Sequence, residues 1–154
     1  MRRLRSALLS AALLGSLVVA APPAQASVGA ACSGSKLRST AIYADNSYNP
    51  LYMGRVELWY SGGRNCVQVI TDRPGWKHQY LWAWLYVGTT NKPSTAKIAN
   101  YDFDAGSYEH YAGGVWLPAS NRCVQYRGQI RFDVTTDGSE FFVGYYRSPW
   151  TACS

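Results

Sequence analysis

The sequence lacks the signatures of several common functional classes. It contains no G-x-S-x-G nucleophile elbow and no H-E-x-x-H zinc motif. Beyond residue 26 it has no two adjacent lysine or arginine residues, so nothing resembles a stripe that follows a phosphate backbone. We therefore expect neither standard esterase or zinc-protease chemistry nor binding to nucleic acid.

Close cysteine pairs are also absent. The four cysteines, Cys32, Cys66, Cys123 and Cys153, are separated by about 30 residues or more and form no C-x-x-C motif, which argues against a four-thiolate metal site. An even number of cysteines in a small exported domain predicts two disulfides, each contributing ~2–4 kcal/mol. Three pairings are possible, and we favour Cys32 with Cys66 and Cys123 with Cys153.

Residues 1–26 have the pattern of a signal peptide. A basic start is followed by an apolar run from residue 7 to residue 21, and Ala24 and Ala26 fit an A-x-A cleavage site. An N-terminal membrane anchor is the alternative, but the run is shorter than the ~20 apolar residues that a span needs. The arginine pair near the start leaves twin-arginine export open beside the general secretory route, which we favour.

Residues 27–154 are predicted to form a single secreted domain. No second long apolar run follows, so we expect no membrane contact after cleavage. The whole chain has 15 basic and nine acidic residues, and cleavage removes three arginines, which leaves 12 against nine, or +3. That charge is compatible with weak attraction to anionic wall polymers, an attraction that salt would screen.

The mature region has the pattern of β-strands and turns. Helical spacing is not sustained anywhere, whereas short runs rich in Val, Ile, Tyr, Trp and Phe alternate with Gly, Pro, Asn and Asp. Residues 56–60 and 66–70 form the clearest predicted hairpin, joined by residues 61–65 with their Gly-Gly pair. Further strands are predicted at residues 80–87, 124–134 and 141–146. The predicted fold is all-β, an antiparallel sandwich or barrel stapled by two disulfides.

One predicted strand concentrates aromatic side chains. Strand alternation over residues 80–87 places Tyr80, Trp82, Trp84 and Tyr86 on one face, and four aliphatic residues on the other. If the aliphatic face is the core, the rings form an exposed row roughly 20 Å long. Such a row suits stacking on sugar rings or packing against a partner, so these four are the candidate binding residues. We favour, however, a central strand with both faces buried, in which the large rings fill one layer of a sandwich.

Polar side chains concentrate between residues 102 and 110, and the set comprises Asp102, Asp104, Ser107, Glu109 and His110. Three interpretations compete. A calcium loop would use the alternating oxygen ligands, although the EF-hand spacing is missing. An acid–base site would join Glu109 or Asp104 to His78 or His110. We favour a polar turn in which Asp104 bonds backbone amides around Gly106, and therefore predict no catalytic residue, metal ligand or cofactor.

Three segments resemble a known family. They are Asn65-Cys66-Val67, the stretch from Asp104 to Trp116, and Cys123-Val124-Gln125-Tyr126. In order and spacing they resemble the spore-associated protein A family of streptomycete-type actinobacteria. This chain departs from the usual pattern at Gly114, Trp116, Tyr126 and Arg127. The resemblance implies a small secreted surface protein associated with spores or aerial growth, and it supplies no catalytic residues.

The expected function is that of a non-enzymatic secreted protein of the spore, aerial-hypha or matrix surface, acting through protein or glycan contacts. Expected partners are a cell-wall or spore-wall glycan or a surface protein. The alternative is a small secreted enzyme, a hydrolase or a ribonuclease-like protein, or an enzyme inhibitor. Convergence of His78, His110, Asp104 and Glu109 in one cleft would favour catalysis.

Overall fold

The computed structural model describes residues 31–44, 49–73 and 79–153. The predicted signal peptide, residues 1–26, and its cleavage site lie outside these residues. The described residues form eight β-strands and no helix. In chain order the strands are β1 (Ser35–Ala44), β2 (Leu51–Ser61), β3 (Arg64–Thr71), β4 (Gln79–Gly88), β5 (Ile98–Gly106), β6 (Tyr111–Pro118), β7 (Val124–Asp133) and β8 (Phe141–Arg147). Accordingly, these residues contain no helix that could cross a membrane.

The strands form one antiparallel sheet that curls into a nearly closed barrel. Their order is β5-β4-β7-β8-β1-β2-β3-β6, and every neighbouring pair is antiparallel. The two end strands, β5 and β6, approach each other, and Gly113 N of β6 donates to Asp104 Oδ2 of β5 at 2.7 Å. The predicted all-β antiparallel fold is confirmed, in its barrel form.

The β2–β3 hairpin was predicted, but its turn is tighter than expected. Ser61 pairs with Arg64, so the loop consists of Gly62 and Gly63 alone rather than residues 61–65. Both glycines have positive φ, 55° and 79°, which is the backbone of the two-residue turn that matches strand twist. The Gly-Gly pair therefore fixes the register, and both strands extend further toward the turn than the sequence predicted.

Aliphatic side chains fill the inside of the barrel. The largest ones on β4 and β7 are fully buried, and they pack with buried residues of β1, β2, β3 and β6. At the centre a Cβ on Gly128 would lie 2.8 Å from Val56 Cβ and 2.8 Å from Val69 Cγ2. Because Gly128 has no side chain, β7 packs directly against β2 and β3 across the interior.

Two disulfides join segments outside the strands to the sheet. Cys32 bonds to Cys66 and Cys123 bonds to Cys153, and no cysteine is free. This is the pairing favoured from the sequence. The first bond fixes the segment before β1 to β3, and the second holds the C-terminal segment beside the start of β7.

A buried carboxylate stabilises the outside of β2 and β3. Glu57 is 1% exposed and accepts hydrogen bonds from Lys36, Arg55, Trp59 and Gln68, at 2.8–3.0 Å. Burial acts to raise the pKa of Glu57, but these hydrogen bonds outweigh it, so the pKa is lowered. Glu57 is therefore ionised at neutral pH.

Candidate binding face

The aromatic side of β4 faces out of the barrel. Leu81, Ala83 and Leu85 are 0% exposed and point into the core, as the predicted alternation requires. Tyr80 is 38% exposed, and Trp82, Trp84 and Tyr86 are half-buried. The aliphatic side is thus the core side, and the favoured interpretation of a strand buried on both faces is wrong.

Strand β5 extends the aromatic surface on one side. Its Phe103 pairs with Trp84 and its Tyr101 pairs with Tyr86, so both rings share the outer face. The ring centroids are 6.5 Å apart for Trp84 and Phe103 and 6.0 Å apart for Tyr86 and Tyr101, in both cases nearly parallel. Tyr101 and Phe103 are more than half exposed. These pairs present neighbouring rings to solvent across two strands.

On the other side of β4, strand β7 contributes arginine and glutamine. Arg127 pairs with Trp84, and its guanidinium carbon lies 4.5 Å from the centroid of that ring. On β8, Arg147 lies 5.8 Å from the centroid of Tyr86, and Tyr145 is 69% exposed. We call this surface the aromatic–arginine face. It comprises Tyr80, Trp82, Trp84, Tyr86, Tyr101, Phe103, Gln125, Arg127, Gln129, Arg131, Tyr145 and Arg147.

Hydrogen bonds hold the arginines in place without using all their donors. Arg127 Nη2 donates to Gln129 Oε1 at 2.6 Å, and Arg147 donates from Nε and Nη2 to Gln125 Oε1, at 3.0 and 2.7 Å. Arg127 Nε is buried and has no partner in the described part of the chain. Each guanidinium carries five N–H donors, so donors remain for a carboxylate, phosphate or hydroxyl.

The two ends of the face differ in charge. Near Tyr80 and Trp82 a cleft of about 390 Å³ is also lined by Arg131 and Asp137. Hydrogen bonds from Thr135 and from Ser139 lower the pKa of Asp137 to about 2, so it is ionised at neutral pH. Arg131 Nε donates to Asp133 Oδ1 at 2.7 Å and is thereby neutralised. Anionic groups are therefore favoured at the end with Arg127 and Arg147, and hydroxyl groups near Asp137.

The structure contradicts the favoured interpretation of the polar cluster at residues 102–110. Asp102 and Asp104 lie within strand β5, so the segment is not a turn before a strand. Asp104 accepts hydrogen bonds from Tyr108 Oη at 2.6 Å and from Gly113 N, and does not bond amides around Gly106. The bond to Asp104, with some burial, raises the pKa of Tyr108 to about 12. Asp104 thus joins β5 to β6.

The other members of that cluster point to no shared site. The side chain of Glu109 is 70% exposed, and its nearest oxygen is 4.0 Å from His110 Nε2. Ser107 and Asp102 are exposed. His78, the other predicted acid–base candidate, lies outside the described residues. Within them, no group of three His, Cys, Asp or Glu side chains could hold a metal ion.

Comparisons with protein-family models, with curated proteins and with solved structures gave no match. The resemblance to the spore-associated protein A family stays a prediction. The aromatic–arginine face is accordingly interpreted from its own geometry.

Sequence reasoning found the four β4 residues of this face but missed the rest. In the sequence, Gln125, Arg127, Gln129 and Arg131 alternate with apolar residues, which predicts one solvent-facing side of a strand. Nothing in that pattern, however, shows that β7 lies beside β4, because β5 and β6 intervene in the chain. A long-range pairing of this kind has no local signal.

Proposed function

We propose that this chain is a secreted, non-enzymatic protein that binds an anionic polysaccharide of a cell or spore wall through the aromatic–arginine face. The observation that carries the proposal is the placement of guanidinium groups beside partly exposed rings on paired strands. Rings stack on the C–H faces of sugars, and guanidinium groups bond carboxylates or phosphates in a bidentate manner. An acidic polysaccharide offers both kinds of group in one repeating molecule.

The size of the face supports a polymeric ligand. Four strands spaced at ~4.8 Å give a width of about 14 Å, and the row on β4 is about 20 Å long. Such an area accommodates several sugar rings in succession. Three arginines stand against the two carboxylates of Asp133 and Asp137. This excess and the predicted net charge of +3 favour acidic over neutral chains.

The proposal also includes a location of the protein on spores or hyphae. It is supported by the resemblance noted in the sequence and by the predicted signal peptide. Two disulfides are consistent with an oxidising compartment outside the cell. The polysaccharide would then belong to the producing organism's own wall or matrix.

Co-sedimentation tests this function. The secreted protein is mixed with insoluble polygalacturonate as the acidic probe, with chitin as the neutral one, and with peptidoglycan and spore-wall preparations, in a series of salt concentrations. We expect retention on polygalacturonate and on at least one wall preparation, weakening as salt rises. Equal retention on chitin, or none on any acidic material, would refute the proposal.

A further inference from the structure

One end of the barrel opens into a cavity of about 410 Å³, lined by Leu37, Arg38, Tyr60, Asn65, Thr151 and Ala152. Tyr60 pairs with Asn65, and Arg38 pairs with the buried Leu58, so these side chains belong to the inward side of their strands. The aromatic–arginine face lies on the outward side of the sheet. The cavity is therefore a separate place on the molecule.

Covalent and backbone bonds fix the walls of this cavity. Thr151 and Val124 exchange two backbone hydrogen bonds, both of 2.8 Å, beside the disulfide between Cys123 and Cys153. On the opposite wall, Cys66 directly follows Asn65 and forms the disulfide with Cys32. A cavity held in this way exists before any ligand arrives, which lowers the ordering cost of binding.

One charged group in the cavity has unused bonding capacity. Arg38 Nη1 donates to Leu37 O at 3.1 Å, and none of the ion pairs within the described ranges involves Arg38.

We infer that this barrel mouth binds a small carboxylic acid that has an apolar body. The carboxylate pairs with Arg38, and the body packs against Leu37, Tyr60 and Ala152. The volume lies within the ~300–1,000 Å³ usual for small-molecule sites, which commonly occupy the mouths of barrels. This site is independent of the polysaccharide proposal.

Three probe compounds test the inference by titration calorimetry on the secreted protein. Indole-3-acetate and naphthalene-1-acetate each carry the carboxylate and an apolar body, and indole-3-acetamide lacks the charge. We expect saturable binding of both carboxylates, about tenfold tighter than that of indole-3-acetamide. Arg38→Gln should weaken indole-3-acetate about tenfold or more and change indole-3-acetamide less than about twofold, because a charge-assisted bond contributes roughly that factor.

Arg64→Gln is the matched control, since Arg64 is an exposed arginine that lies over the Trp116 ring, 5.7 Å from its centroid. It should leave all three affinities unchanged. Absence of saturable binding of indole-3-acetate, or an equal affinity for Arg38→Gln and the parent, would overturn the inference. Amide chemical-shift changes on adding indole-3-acetate would also overturn the inference if they were confined to the outer side of β4 and β7. Such changes would place the probe on the aromatic–arginine face.

Discussion

The guanidinium carbon of Arg127 lies 4.5 Å from the centroid of the Trp84 ring. The two residues hold paired positions on β7 and β4, strands that are far apart in the chain but adjacent in the sheet. Trp84 also pairs with Phe103 of β5, so one ring contacts an aromatic neighbour on one side and a cation on the other. The register of the sheet thus creates a surface in which rings and guanidinium groups alternate.

Replacing Trp84 tests the ring component of that surface. Trp84→Ala should weaken binding to polygalacturonate by ~1–3 kcal/mol, roughly 5- to 150-fold, because the stacking surface is lost. The free energy of unfolding should fall by less than the ~3–5 kcal/mol that is lost when a core tryptophan is replaced by alanine. Trp116→Ala is the control, since Trp116 also lies beside an arginine, Arg64, but on β6. Equal loss of binding in both variants would contradict the assignment.

The Glu57 network predicts a specific dependence of stability on pH. Because the folded-state pKa of Glu57 lies below its ordinary value of 4.5, the unfolded chain takes up this proton first as pH falls. The contribution of Glu57 is therefore complete above about pH 4.5 and is lost as pH falls through the folded-state pKa. Glu57→Gln should lower the free energy of unfolding by about 2 kcal/mol at neutral pH.

Urea unfolding between pH 2 and pH 7 measures this effect. The stability difference between the parent and Glu57→Gln should shrink toward acid pH. Glu140→Gln serves as the control, because the Glu140 side chain is exposed and the variant should follow the parent at every pH. A constant difference between the Glu57 variant and the parent across the range would show that the charge of Glu57 is not what stabilises β2 and β3.

Asp104 is predicted to close the barrel rather than to catalyse a reaction. Asp104→Ala leaves Gly113 N and Tyr108 Oη without their acceptor, so the free energy of unfolding should fall by ~1–3 kcal/mol. The pKa of Tyr108, about 12 in the parent, should return toward 10, as monitored by NMR of the tyrosine ring carbons. Asp102→Ala should change stability by less than ~0.5 kcal/mol. An unchanged Tyr108 pKa in Asp104→Ala would refute this contact.

Gly128 is predicted to be required for the close packing of opposite walls. Gly128→Ala adds a methyl group 2.8 Å from Val56 and Val69, which should cost ~1–3 kcal/mol of stability. Gln129→Ala, at the neighbouring outward position, should have a smaller effect. Thermal melts of both variants test the prediction. A Gly128→Ala protein as stable as the parent would show that the interior can accommodate an additional methyl group at this position.

The sequence predicted those parts of the fold that have a local pattern. The period-two alternation of β4 and β7 and the Gly-Gly hairpin appear in the structure. The favoured disulfide pairing also appears, but no local pattern in the sequence selects it from the three possible pairings. The interpretation of residues 102–110 as a polar turn is wrong for residues 102–106, which belong to strand β5. Residues 98–103 of that strand are exposed, so it lacks the buried aliphatic side that marks the other predicted strands. Its aspartates lie in an end strand of the sheet. Solvent and the hydrogen bond from Gly113 N to Asp104 satisfy the hydrogen-bonding capacity of their carboxylates.

The arrangement of the site could not be derived in the same way. Trp84 was identified from its own strand, whereas Arg127 and Phe103 became its neighbours only through the order β5-β4-β7. Strand order in a barrel depends on the collective packing of the core, and on long-range pairings that no short segment of sequence encodes. The aromatic row was therefore visible in the sequence, and the arginines beside it were not.

Mapping the ligand contact by NMR tests the central claim most directly. The ¹⁵N-labelled secreted protein is titrated with a soluble oligogalacturonate, and the amide and indole N–H shifts are followed. The account predicts saturable changes on β4, β7 and β8, largest near Trp84, Arg127 and Tyr145, with β2 and β3 unaffected. Changes concentrated on β2, β3 and β6, or the absence of any saturable change at low salt, would contradict it.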